Sequence, residues 1–138
     1  MGAVVALRLL NVAHMADKFT DLVAWQLARE LRLRVYALVK LPQVARDFKS
    51  VGQIVDAAAS APRNSAEGFG RFNKREFANF LKIAIASEQE VRNHFIDAAD
   101  RGFISEAQME ADLRLADRAI GAATRLRQYI LSPRNPYG

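Results

Sequence analysis

The chain has 138 residues, 51% of them hydrophobic and 25% charged, with 20 Lys and Arg against 15 Asp and Glu and a net charge of +5. That length suits one domain, and the absence of cysteine excludes disulfide stapling, thiolate catalysis and cysteine-based metal sites while fitting a reducing cytoplasm. The charge favours acidic partners, and it is uneven: residues 1–82 carry 13 Lys and Arg against 7 Asp and Glu, whereas residues 83–138 carry 7 against 8.

Residues 1–16 are expected to be a leader outside the fold, either disordered or preceding the true start, because Met15-Ala16-Asp17-Lys18 reads as a more natural beginning. The apolar run there is interrupted by Arg8 and falls short of the roughly 20 residues a membrane span needs. Ala6 stands where a myristoylation signal usually has Ser or Thr.

Four segments then show helical periodicity, and none alternates like a strand. Segment one starts at Thr20 or Asp21 as N-cap and puts Ala24, Leu27, Leu31, Val35 and Leu38 on one stripe, stopping near Leu41-Pro42. Segment two begins near Asp47, carries Val51, Ile54, Val55, Ala58, Ala61 and Ser65, and ends at Gly68-Phe69-Gly70. Pro62 lies inside that pattern, where it removes a hydrogen bond and crowds the Ala58 carbonyl, which predicts a kink or local break. Segment three has Asn73 as N-cap and Glu76 three residues on, then a seam of Phe77, Phe80, Leu81, Ala84, Val91, Phe95 and Ala98, until Gly102 supplies a left-handed cap. Segment four pairs Ser105 with Gln108 and places Met109, Leu113, Ala116, Ile120, Ala123 and Ile130 at 3-4 spacing, with Pro133 and Pro136 closing it. Helices of roughly 20–28 residues joined by short turns predict an all-α, antiparallel up-and-down four-helix bundle over residues 17–132, with residues 133–138 as a tail.

Chemistry is sparse. The two histidines are His14 and His94. A contact between His94 and Asp97 is expected to be a surface hydrogen bond, and a di-iron motif fails because Val91 stands three residues before His94. Glu88 and Glu90 do not share a helical face, Asp97 with Asp100 reads as a solvated edge, and Gly68-Phe69-Gly70 is a helix stop rather than a phosphate loop. No catalytic residue, metal or cofactor is therefore expected, and the chain does not read as an enzyme.

The feature that points to function is basic. Arg63, Arg71, Lys74, Arg75 and Lys82 gather around the break between segments two and three, with Phe69 and Phe72 interleaved. Cations beside aromatic rings neutralise phosphates and stack on unpaired bases. The alternative is a solvated loop whose phenylalanines plug the bundle end. Segment one also carries more apolar surface than one core needs, so Leu22, Trp25, Leu33 and Tyr36 are candidates for a self-association surface, against the alternative of a wide core.

Several runs fall in order along the chain: Phe19-x-x-Leu22-x-x-Trp25-Gln26-x-Ala28, Ser60-x-Pro62-x-Asn64-x-Ala66-Glu67-Gly68-Phe69-Gly70-Arg71, Lys74-x-Glu76-Phe77-x-x-Phe80-Leu81-x-Ile83-Ala84, Ser87-x-x-Glu90, and Gly102-Phe103-Ile104-Ser105. Together they resemble the bacterial 23S ribosomal RNA intervening-sequence proteins, related more remotely to retroelement accessory variability proteins. The resemblance implies a cytosolic, left-handed four-helix bundle assembled as a ring-like homopentamer, encoded within insertions in ribosomal RNA genes, without established enzymatic activity. Ser65 departs from the usual apolar residue, and Arg63 is more basic than is common there. Glu67, Arg71 and Glu76 are the polar residues of the motif and are expected to serve as helix caps and an end-of-bundle ion pair. The expected function is an oligomer binding RNA or a nucleoprotein through the basic surface; the alternative is a pentameric protein-protein scaffold that does not touch nucleic acid. No membrane or small-molecule partner is expected.

Overall fold

A computed structural model describes residues 16–133. These form a 3-10 turn at Phe19–Asp21 and five helices: α1 Val23–Val39, α2 Pro42–Ala45, α3 Phe48–Gly70, α4 Lys74–Asp100 and α5 Glu106–Leu131. There is no strand among the described residues, and no helix among them is long and apolar enough to cross a membrane. The four long helices pack as a bundle in which α1 touches α3 and α5, and α4 touches α3 and α5. The leader and His14 lie outside the described residues, as does all of the tail beyond Pro133.

The entry to the bundle differs from the sequence expectation. Thr20 and Asp21 do not cap α1 but sit in the 3-10 turn, with Leu22 as the N-cap and no side-chain bond there. The reason is burial: Leu22 is 0% exposed, so the chain folds inward to seat it before the helix begins. Gln26 Nε2 donates to the Thr20 carbonyl at 2.9 Å and fastens the turn. Leu22 is therefore a core residue and cannot serve an oligomer surface. The late start also makes α1 only 17 residues long, shorter than expected. Pro42, expected as a stop, opens the short helix α2 at its first turn, where its missing N–H costs nothing.

Helix α3 begins as expected, with the Asp47 carboxylate accepting from Ser50 N at 3.2 Å and from Ser50 Oγ at 2.7 Å. The break expected at Pro62 is absent, since α3 runs unbroken from Phe48 to Gly70. Pro62 lies on the same buried face of α3 as Ala57, Ala58 and Ala61, and burial of that face against the bundle offsets the lost backbone bond. The α3–α4 contact uses small residues. A Cβ on Gly68 would lie 2.7 Å from the Phe80 Cβ, so only glycine permits the approach.

The N-caps of α4 and α5 are the expected residues, with Asn73 Oδ1 accepting from Glu76 N at 3.0 Å and Ser105 Oγ from Gln108 N at 3.1 Å, and Gly102 ends α4 at φ +76°. The reciprocal half of the pairing is absent in α5, where the Gln108 side chain donates to Asp112 Oδ1 at 3.0 Å instead. Partner numbers on α4 fall as those on α3 rise, from Asp47 with Arg101, through Ser60 with Ser87, to Gly68 beside Phe80. In α5 the buried stripe is Asp112, Leu115, Ala116, Ala119, Ala122, Ala123, Leu126 and Ile130, so the expected Met109, Leu113 and Ile120 lie at its half-buried margin. Asp112 turns inward because Arg34 of α1 meets it at 2.8 Å.

Candidate nucleic-acid interface

Helix α3 stops at Gly70, Arg71 caps it through an N–H bond to the Gly68 carbonyl at 3.2 Å, and Asn73 already caps α4. The chain must reverse through Phe72, which adopts φ +53°. A non-glycine residue in that region is strained by roughly 1–2 kcal/mol. Packing does not offset it, because the Phe72 side chain is 91% exposed. An apolar ring is thus held out into solvent at the tip of a strained turn between Arg71 and Lys74.

The cations around it are mostly uncommitted. Arg71 is held: its Nη2 meets Glu67 Oε1 at 2.7 Å and its guanidinium lies 5.2 Å from the Phe80 ring centre. That is the end-of-bundle ion pair expected of the motif. Arg63, Lys74, Arg75 and Lys82 are exposed and have no carboxylate at ion-pair distance among the described residues. Arg63 and Arg71 share the lining of an open hollow of about 390 Å³ with Ala66, Glu67 and Gly70. Arg75 and Lys82, seven residues apart, fall on one face of α4. The two phenylalanines divide the readings between them: Phe69 turns inward, edge-on to Phe77 with ring centres 6.2 Å apart, while Phe72 points out.

The four candidate self-association residues are not brought together as one surface. Leu22 is buried. Trp25 is half-buried, meeting the Phe19 ring edge-on at 5.3 Å and lying beneath Arg29 at 5.9 Å. Leu33 is 48% exposed and Tyr36 lies beneath Arg32 at 5.8 Å.

Sequence reasoning missed two buried acids. Glu88 is 1% exposed, neither carboxylate oxygen has a hydrogen-bond partner, and burial alone raises its pKa from 4.5 to about 8. It continues the α4 seam between Ala84 and Val91, a spacing that could have revealed it. Asp112 is buried as well, and burial raises its pKa against the lowering effects of Gln108 and Arg34. Asp97 binds Arg101 at 3.0 Å, so its charge is committed there rather than to His94. The motif residues Ser60, Asn64 and Ser87 form a bridge between α3 and α4, with Ser87 Oγ at 2.7 Å from Ser60 Oγ and Asn64 Nδ2 donating to the Ser60 carbonyl at 2.8 Å.

The motif residues therefore have structural places: a glycine contact, an inter-helix polar bridge and an ion pair across the end of α3. The chain matches the family described as 23S rRNA-intervening sequence protein over residues 20–122. It belongs to that family. The matched span opens in the turn that seats Leu22 and closes within α5, so it takes in the basic turn and every helix-to-helix contact described above. No curated protein matches the chain.

Proposed function

We propose that this intervening-sequence family member is a non-catalytic cytoplasmic protein that binds RNA, or RNA within a nucleoprotein, through the basic end of its bundle. The bundle is read as antiparallel, up-and-down and left-handed, which the falling partner numbers between α3 and α4 support as to direction. The observation that carries the function is Phe72, strained and exposed in the turn that Lys74 and Arg75 follow, with the exposed Arg63 and Lys82 further along the two helices it joins. A ring in that position stacks on an unpaired base while the cations meet the adjoining phosphates.

Four neutralised phosphates on a single strand give a slope near −0.7 each, so affinity for RNA should fall about fiftyfold between 50 and 200 mM salt. Replacing Lys74 and Arg75 by Glu should weaken binding at every sequence tested, and replacing Arg71 as well should weaken it further. A filter-binding or anisotropy titration measures both. Affinity unchanged by salt or by these substitutions would overturn the proposal.

A second reading draws on the exposed Val23 and Leu33, which suit contact between copies. It is a pentameric protein-protein scaffold without nucleic acid. A solution mass of five chains, with no copurifying nucleic acid and no RNA binding, would favour it.

A further inference from the structure

We infer that the flank of α1 facing α3 is a second contact surface, a stacking platform for an unpaired nucleic-acid strand. This rests on the RNA-binding reading and extends it to a surface outside the basic turn. Trp25, Arg29, Arg32 and Tyr36 recur at spacings of four, three and four, which places them on one stripe of the helix. Each ring is matched with its own arginine, Arg29 over Trp25 at 5.9 Å and Arg32 over Tyr36 at 5.8 Å, and Phe19 extends the aromatic end by its contact with Trp25.

The neighbouring helices locate the stripe. Arg34, on the other flank of α1, reaches Asp112 of α5, so the flank with Trp25, Arg32 and Tyr36 lies toward α3. Ala28 of α1, Ala61 of α3 and Ala84 of α4 pack in one cluster, which sets the Trp25 end of the stripe level with the second half of α3. That is the half that ends at the Phe72 turn. From Trp25 to Tyr36 the helix rises about 16 Å, the length of four or five stacked bases at roughly 3.4 Å each.

Charge selects the occupant. Neither Arg29 nor Arg32 has a carboxylate at ion-pair distance among the described residues. Arg63, on the neighbouring helix, is likewise without a carboxylate. A partner carrying the same stripe would bring four unmatched arginines together, whereas a polyanion satisfies them. Guanidinium planes and aromatic rings both stack on bases, and in a duplex the base faces are hidden, so the fitting polyanion is a single strand.

Trp25 is the single tryptophan of the chain and reports on the stripe directly. The intact protein is titrated with a uridine 20-mer, with a duplex RNA of equal length and with heparin, following tryptophan emission and binding anisotropy. The single strand should quench Trp25 saturably, while duplex and heparin bind without quenching. Arg29→Ala with Arg32→Ala should weaken single-strand affinity about tenfold, and Tyr36→Leu about fivefold or more, with Tyr36→Phe restoring it. Circular dichroism of each variant shows that the helices are retained.

Strand binding that is salt-dependent and sensitive to Lys74 and Arg75, with Trp25 emission and the Tyr36 variants unchanged, would overturn this inference and leave the basic turn standing. Absence of strand binding would remove both. Emission that follows protein concentration and solution mass without RNA would mean that a second copy covers the stripe, which also overturns the inference.

Discussion

Replacing Glu88 by Leu should stabilise this protein, and by an amount that grows with pH. In the folded chain burial holds the Glu88 carboxyl near 8 instead of 4.5, with no charged neighbour contributing. The folded state therefore keeps a proton that the unfolded chain releases as pH rises through 4.5. Between those values the unfolded state binds fewer protons, so stability falls with pH, at about 1.4 kcal/mol for each unit. The loss reaches about 3 kcal/mol at pH 7 and levels off near 5 kcal/mol once the folded carboxyl also ionises above pH 8. Below pH 4.5 the group is neutral in both states and only its unpaired oxygens count against it. Leu removes the proton linkage and the unpaired oxygens at similar size, while Gln removes the linkage alone. Urea unfolding of wild type, Glu88→Leu and Glu88→Gln at half-unit steps from pH 4 to 9 measures the difference. Comparison with the variants cancels other carboxylates, including Asp47, whose pKa is lowered by its bonds to Ser50, and Asp112, whose pKa is raised by burial. A gap between wild type and Gln that stays constant from pH 5 to 8 would refute the reasoning.

Two other positions separate stability from binding. Phe72→Gly removes the left-handed strain and loses little packing, so it should stabilise by about 1 kcal/mol while lowering RNA affinity, read by thermal unfolding and anisotropy on the same samples. Gly68→Ala should cost about 1–3 kcal/mol through the clash with Phe80, whereas Gly70→Ala, where a Cβ meets nothing within 4 Å, should be neutral or stabilising by up to about 1 kcal/mol.

Much of the fold was legible because its signals are local. Asn73, Ser105 and Gly102 act within one turn of themselves, and the heptad-like seam of α4 needs only its own spacing. Most of the misreadings have a different cause, namely burial in a core that the whole bundle assembles. Thr20 and Asp21 are good caps in isolation, but seating Leu22 in the core moves the helix start beyond them. Pro62 breaks an isolated helix, yet here it is packed within a buried alanine face. Asp112 looks like a surface residue until Arg34 reaches it across 78 residues. Glu88 reads as a surface charge when set beside Glu90, although its spacing from Ala84 and Val91 marks a seam position. At the basic turn the residue types were readable. The division between an inward Phe69 and an outward Phe72 was not, because it depends on a backbone angle at a single residue.

That division sharpens which substitutions speak to function. Within Glu67-Gly68-Phe69-Gly70-Arg71, Gly68 permits the α3–α4 contact, Phe69 meets Phe77, and Arg71 bridges Glu67 and the Phe80 ring. The run is occupied by packing, so a charge reversal at Arg71 disturbs the end of the bundle as well as any ligand. Lys74, Arg75 and Lys82 carry no such duty, and Arg63 lies outward on α3. If RNA binding is electrostatic at this end, reversing Lys74 and Arg75 must weaken it without lowering the unfolding midpoint, whereas Arg71→Glu must do both. Equal loss of stability in the two sets would place those cations in the fold and leave the strained, exposed Phe72 without a ligand to account for it.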